Sequence, residues 1–305
     1  MRGRLRIGTR GSELALWQAR HVAALITARC GVGCDLVVVQ TSGDRDRSRS
    51  LHELPGSGFF TKELQEELRA DRVDVVVHSL KDLPTDEPGG LALGAILERE
   101  DPRELVLARP DAGGPGAMRL RSGAAVGTSS LRRAAQALAL QPDVVIRPLR
   151  GNVPTRLRKL REGAYDAIML AAAGVDRLGL ELDGLTVWRA DVDTLMPAPG
   201  QGALAIEARA DDHRTMDEVR KLNDEQVAET TRAERLLLKG LGGGCHLPLG
   251  ALANRAGPVI ELRAVLGHLD EGLTRAELRR AFAVGATAET AAAAVLAQLG
   301  GSATA

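Results

Sequence analysis

The chain has 305 residues, 44% of them hydrophobic, and its 40 basic and 40 acidic residues leave no net charge. That length allows two or three domains with real cores. The even balance excludes a global field that would draw the protein to nucleic acid or to a membrane surface. Five of the basic residues are lysine and 35 are arginine, so where the arginines fall matters more than the sum. Three cysteines, Cys30, Cys34 and Cys245, make an odd count. Cys30-x3-Cys34 has no second His/Cys pair to complete a zinc site, and two reduced thiols are expected there. No apolar run of about 18 residues occurs, and MRGRLRIGTRGSEL enters a strand pattern without an apolar signal region. A cytoplasmic protein is expected.

Strand-length apolar runs alternate with helical patterns. LRIGT (5–9) precedes a helix starting near Ser12, with Leu14, Trp17, Val22 and Leu25 assigned to one face. DLVVVQ (35–40) is a strand, followed by a polar loop from Thr41 to Gly58, a helix TKELQEELRA and a strand VDVVVH (73–78). After LALGAIL and ELVLA the alternation restarts: AAVGT (124–128) feeds a helix from Ser129, VVIRPL (144–149) another near Pro154, and DAIML (166–170) a third. MPAPGQGAL (196–204) leads into LAIEAR, a lone strand that fits best as a return to the first sheet. From about Asp211 come two helices, a GGGC loop, strands near 249–253 and 259–266, and an Ala-rich helix ending near Leu299. This order predicts two α/β domains with mainly parallel sheets and a small α+β third domain.

In open parallel sheets, ligands bind beyond the carboxyl ends of the strands. Arg10 and Ser12 follow the first strand, and Ser79, Lys81 and Asp82 follow VDVVVH. Thr128, Ser129, Ser130, Arg132 and Arg133 follow AAVG. Arg150, Gly151, Asn152 and Arg156 follow VVIRPL, and Gly174 and Arg177 follow DAIML. Both domains thus put arginines and hydroxyls on the edge expected to face an interdomain cleft. Arginine grips carboxylate as a bidentate fork and helix N-termini favour anions, so the pattern suits a ligand with several carboxylates. Phosphate competes as the anion, although neither a P-loop nor a strand-linked G-x-G-x-x-G is present. Each helix-borne arginine, Arg132 and Arg133 included, has the alternative of being solvated or paired with a glutamate.

Asp82, an acid among these cations, suits either stabilisation of a cationic intermediate or proton transfer; a local turn role in KDLPTDEP is the alternative. Cys245 lies in GLGGGCHLPLG behind three glycines. A thiol on so open a loop, close to cations, is a candidate covalent attachment point, the other reading being an inert buried cysteine. His246 is adjacent in an extended loop, where neighbouring side chains point apart, so no Cys-His dyad is expected.

Nine stretches in order resemble the porphobilinogen deaminase (hydroxymethylbilane synthase) family: RIGTRGSELALWQA, TSGDR, GFFTKELQEEL, DVVVHSLKDLPT, VGTSSLRRAAQ, LRGNVPTRLRKL, GVDRLGL, PAPGQGALAIEAR and GGGCHLPLG. They span residues 6–250; the last 55 residues match only as a generic domain ending. The resemblance implies two α/β domains like type II periplasmic binding proteins with a cleft between them, plus a small C-terminal α+β domain. The expected boundaries are 1–98 with 197–215, 99–196 and 216–305.

It also implies a transferase that condenses four porphobilinogen molecules head to tail with loss of ammonia, then releases linear hydroxymethylbilane by hydrolysis. The primer is a dipyrromethane cofactor held by a thioether on Cys245. By position, Asp82 contacts pyrrole nitrogens and supports a cationic azafulvene. Lys81, Ser129, Arg132, Arg133, Arg150 and Gly174 join Cys245 and Asp82 in binding the cofactor. Arg10, Ser12, Arg150, Arg156 and Arg177 bind substrate carboxylates, with Phe60 over the site. No metal is implied. A monomer is implied whose product passes to uroporphyrinogen-III synthase, as part of heme and porphyrin synthesis. The sequence departs from the family pattern at Ser57, Pro154 and Pro199. Two rival readings are a non-enzymatic anion-binding module, which predicts a signal peptide and no functional thiol, and a cysteine-nucleophile transferase acting on phosphorylated substrates.

Overall fold

A computed structural model describes residues 3–41, 61–86, 88–243 and 247–300. In chain order, β1 (Leu5–Arg10) leads to α1 (Glu13–Cys30), β2 (Cys34–Val39), α2 (Lys62–Arg69), β3 (Val75–Ser79) and β4 (Leu91–Ile96). Next come β5 (Glu104–Ala108), β6 (Ala125–Gly127), α3 (Leu131–Leu140), β7 (Val145–Arg147), α4 (Val153–Arg161), β8 (Ala167–Ala171), α5 (Ala172–Leu178) and β9 (Thr186–Arg189). Then follow β10 (Leu204–Arg209), α6 (His213–Arg220), α7 (Glu225–Gly240), β11 (Leu249–Ala256), β12 (Val259–Leu269), β13 (Ala276–Gly285) and α8 (Ala288–Gln298).

Local chemistry sets the helix starts. The Ser12 hydroxyl accepts from the Ala15 amide, Ser130 from Arg133 and Asn152 from Thr155, each satisfying an amide that has no partner within its helix. The first helical residue of α3 is Leu131, two positions later than the start at Ser129 that the sequence suggests. Pro154 falls in the first turn of α4, where a missing N–H breaks no helical bond, so this departure fits the helix. The buried face of α1 is Gln18, Ala19, Val22, Ile26 and Cys30. Leu14, Trp17 and Leu25 are only half-buried, so the apolar stripe expected from sequence is rotated away from the true core face. Gln18 turns inward because its amide donates to Ser79 Oγ at 2.9 Å.

The chain divides into two units, one of described residues 3–41, 61–86, 88–100 and 202–229, the other of 101–201, 230–243 and 247–300. The first unit holds a five-stranded sheet in the order β2-β1-β3-β10-β4. β1, β2 and β3 are parallel, while β10 runs antiparallel between β3 and β4 in the registers Leu204↔Ser79 and Ala205↔Ile96. LAIEAR therefore does return to the first sheet. Ile7, Val75, Val77, Ile206 and Ala208 pack beneath Val22 and Ile26 of α1 and Val219 of α6.

The second unit repeats the plan in the order β7-β6-β8-β5-β9, with β5 as the antiparallel insert. Both sheets thus have the strand order of a type II periplasmic binding protein, mixed rather than purely parallel. All five β5 residues are buried, as befits a strand covered on both faces. The same unit contains an antiparallel sheet β11-β12-β13 covered by α8, with Ile260, Leu262, Val295 and Leu296 in its core. Strands β9 and β13 were not foreseen from the sequence. Buried Glu234 of α7 fixes this sheet to the segment before β10, accepting from the Gly200 amide at 2.6 Å and the Ala253 amide at 2.8 Å. Among the described residues, no helix is long and apolar enough to cross a membrane.

Candidate active site

Strand direction collects the candidates. In the first unit the carboxyl ends of β1 and β3 and the amino end of β10 share one edge, as the pairing Leu204↔Ser79 requires. Arg10 closes β1, Ser12 caps α1, and Ser79 passes into a short 3-10 turn, Leu80–Asp82. That turn is anchored on both sides of its charges. Leu80 and Leu83 are buried, and the Leu80 amide donates to the Ala203 carbonyl at 3.0 Å. Lys81 is half-buried and Asp82 is exposed, so a fixed backbone presents an accessible carboxylate.

In the second unit the ends of β6, β7 and β8 and the start of β5 share an edge. Ser129 Oγ donates to the Leu149 carbonyl and accepts from the Leu149 amide, which ties the β6–α3 loop to the residue before Arg150. Arg150 and Arg156 are half-buried. The Arg150 carbonyl accepts from Lys159 Nζ at 3.1 Å, and the Gly151 carbonyl accepts from Arg156 Nε at 2.7 Å. Gly151 adopts φ 115°, a conformation that a side chain would strain, and this lets the chain turn sharply into α4. Gly174 and Arg177 are buried on α5.

Arg132 and Arg133 have a buried carboxylate partner. Glu104, fully buried at the head of β5, lies 2.7 Å from Nη2 of each, through Oε1 to Arg132 and Oε2 to Arg133. Arg132 Nη1 also donates to the Met196 carbonyl at 2.7 Å, and Arg133 Nη1 to the Met169 carbonyl at 3.0 Å. Burial pulls the Arg132 guanidinium below its ordinary value, opposed by the attraction of Glu104. The glutamate-paired alternative therefore applies to both arginines. Nearby on the chain, Asp101 accepts from Arg103 at 2.9 Å and from Arg189 at 2.5 Å, and Arg189 also grips Asp176 of α5.

Cys245, His246, Phe60 and Ser57 lie outside the described residues, as does the Thr41–Gly58 loop apart from Thr41. Cys30, buried, ends α1, and Cys34 opens β2. Sequence reading missed Glu104 and its further partner Gln201, whose Nε2 reaches Oε1 at 3.1 Å. An acid opening the otherwise apolar ELVLA was the available signal, since a charge inside a buried strand needs a partner.

Within the first unit, half-buried Arg10 and Lys81 suit acid groups and the accessible Asp82 suits N–H donors; within the second, half-buried Arg150 and Arg156 beside capped helix starts suit acid groups.

Residues 5–217 match the family model described as porphobilinogen deaminase, dipyromethane cofactor binding domain, and residues 228–299 match the porphobilinogen deaminase C-terminal domain. The chain is 48% identical over 271 residues to the porphobilinogen deaminase of Acidithiobacillus ferrooxidans, covering 87% of this chain and 86% of that one. It is 46% identical over 276 residues to that of Roseiflexus sp., covering 90% and 89%. A solved substrate binding protein of an amino acid ABC transporter aligns with a TM-score of 0.41 at 15% identity, over 72% of this chain and 91% of that one.

Proposed function

The chain belongs to the porphobilinogen deaminase family, and from that premise we propose which of its residues carry the reaction. The enzyme is a hydroxymethylbilane synthase with a dipyrromethane cofactor: it condenses four porphobilinogen molecules, releasing ammonia at each addition, and frees the linear product by hydrolysis. When bound, the dipyrromethane supplies the pyrrole carbon onto which the first porphobilinogen is joined.

Cys245 is the residue we assign to hold the dipyrromethane, through a thioether from Sγ. Asp82 accepts hydrogen bonds from pyrrole N–H groups and offsets the positive charge that develops on a substrate ring as its ammonia leaves. Its place on an anchored turn supports this, since a carboxylate held in position needs no reorganisation when charge appears. Lys81, Ser129, Arg132, Arg133, Arg150 and Gly174 hold the cofactor; Arg10, Ser12, Arg150, Arg156 and Arg177 hold substrate acetates and propionates, with Phe60 over the rings. Each pyrrole carries two acid groups, so every added unit brings two more charges to be met. The observation that carries this reading is that the described candidates fall at the carboxyl-end edge of their own sheets or on the helices that begin there.

The division into parts 1–98 with 197–215, 99–196 and 216–305 belongs to the same proposal. So do a cytoplasmic, monomeric enzyme and transfer of its product to uroporphyrinogen-III synthase.

The test is chemical. Purified protein should exceed its polypeptide mass by one dipyrrole and colour with Ehrlich's reagent, and Cys245→Ser should abolish both. Active enzyme of unmodified mass, or activity retained in Cys245→Ser, refutes the assignment.

A further inference from the structure

We propose that Glu104 is a positioning residue of this enzyme: it aims Arg132 and Arg133 at the cofactor's carboxylates and couples both to the segment 196–201. The inference rests on the reading above, in which these two arginines hold the cofactor.

Arg132 and Arg133 are adjacent on α3, so without a shared partner their like charges repel and their long side chains separate. Glu104 stands at the amino end of β5, paired in register with Ala171 at the carboxyl end of β8, which brings its carboxylate to the ligand edge of the sheet. Oε1 takes Arg132 Nη2 at 2.7 Å; Oε2 takes Arg133 Nη2 at 2.7 Å and Nε at 2.9 Å. The arginine side chains are 6% and 8% exposed and Glu104 is 0% exposed. Two guanidiniums on one carboxylate leave this trio with an excess of positive charge in a place where water screens poorly. An acid group of a ligand offsets that excess. A guanidinium has five N–H donors in a rigid fork, so fixing one edge of it on Glu104 fixes the direction of the others.

The same carboxylate reaches the segment before β10. Gln201 Nε2 donates to Glu104 Oε1 at 3.1 Å and to the Pro102 carbonyl at 2.7 Å, which joins both ends of the 101–201 stretch to Glu104. Met196 is held by the same group of side chains: its carbonyl accepts from Arg132 and from Gln136 Nε2 at 3.0 Å, and its amide donates to Gln136 Oε1 at 2.6 Å. Moving the arginines therefore moves the chain at 196–201.

The experiment compares full-length Glu104→Gln, Glu104→Asp, Arg132→Gln and Arg133→Gln with the parent protein. From each preparation it reads the fraction carrying a covalent dipyrrole by intact mass, the melting midpoint, and kcat and KM for porphobilinogen. Glu104→Asp keeps the charge but withdraws it by one methylene, so it folds with a midpoint near the parent's. It should nonetheless load less cofactor, and its kcat should fall about tenfold to a hundredfold with KM little changed, since a misplacement of about 1 Å costs up to about a hundredfold. Glu104→Gln should load less still. Parent-like loading and kcat in Glu104→Asp overturn the proposal, whether or not Glu104→Gln folds. If the two arginine variants fail while both glutamate variants behave as the parent, Glu104 alone loses its role. If both arginine variants load and turn over normally, the cofactor role of Arg132 and Arg133 falls and the Glu104 proposal falls with it.

Discussion

Ser129 and Leu149 hold each other by two hydrogen bonds of 3.0 Å, the serine hydroxyl donating to the leucine carbonyl and accepting from its amide. Leu149 is fully buried, so water is a poor substitute for either bond. Ser129→Ala should cost about 1–3 kcal/mol, the price of leaving buried polar groups unmet. At this chain length each kcal/mol shifts the melting midpoint by about 2–4 °C. Ser129→Thr keeps the hydroxyl and should restore most of the loss. Calorimetry on the three proteins checks this, and a parent-like midpoint in the alanine variant would refute it.

Asp82 is exposed between two buried leucines, so it contributes little to holding its turn. Asp82→Ala should stay within about 0.5 kcal/mol of the parent in stability, as exposed substitutions do. Turnover should nevertheless fall by about a hundredfold to a thousandfold, the usual range for losing a group that stabilises charge developing in the transition state. Urea unfolding and steady-state turnover separate the two effects. Near-normal turnover would remove Asp82 from the mechanism.

The Asp101 carboxyl is pushed up by its burial but more strongly held down by Arg103 and Arg189, ending at about 2. An unfolded aspartate titrates near about 3.9, so the native state favours the ionised form and gains stability from it above that pH. This gain is lost as pH falls through the interval from about 4 to about 2. Asp101→Asn should therefore melt lower than the parent at neutral pH, and the gap should close as pH approaches 2. Melting curves across that interval test the sign; a gap that widens on acidification would contradict it.

Gly267 of β12 abuts α3 closely enough that an added Cβ would meet the Ala135 methyl at 2.5 Å. That methyl cannot rotate away, so helix and sheet must part. Gly267→Val should cost about 1–3 kcal/mol, as overpacking does. It should also loosen the antiparallel sheet from α3, raising the rate of proteolytic cleavage within 247–300. Unchanged proteolysis and unfolding midpoint would show that the contact can yield.

Much of the framework was legible because it depends on neighbours in sequence. The strand–helix alternation, the helix starts near Ser12 and Pro154 and the placement of Arg10, Lys81, Asp82 and Arg150 after strands follow from local pattern and from strand direction. Strands β9 and β13 escaped because both carry charge and exposed apolar residues that blur period-two alternation, as Val187, Phe282 and Val284 illustrate.

The sequence by itself determined which residue types stand at the strand ends, because their order along the chain needs no knowledge of the fold. Only tertiary structure decided what each of them faces. Glu104 is 28 and 29 positions from Arg132 and Arg133, and it meets them because β5 enters antiparallel beside β8 and delivers its first residue to the ligand edge. A buried arginine requires an acid or a carbonyl, and local pattern can state that requirement. Which acid answers it is set by strand order and register, and these arise from packing between segments far apart in the chain.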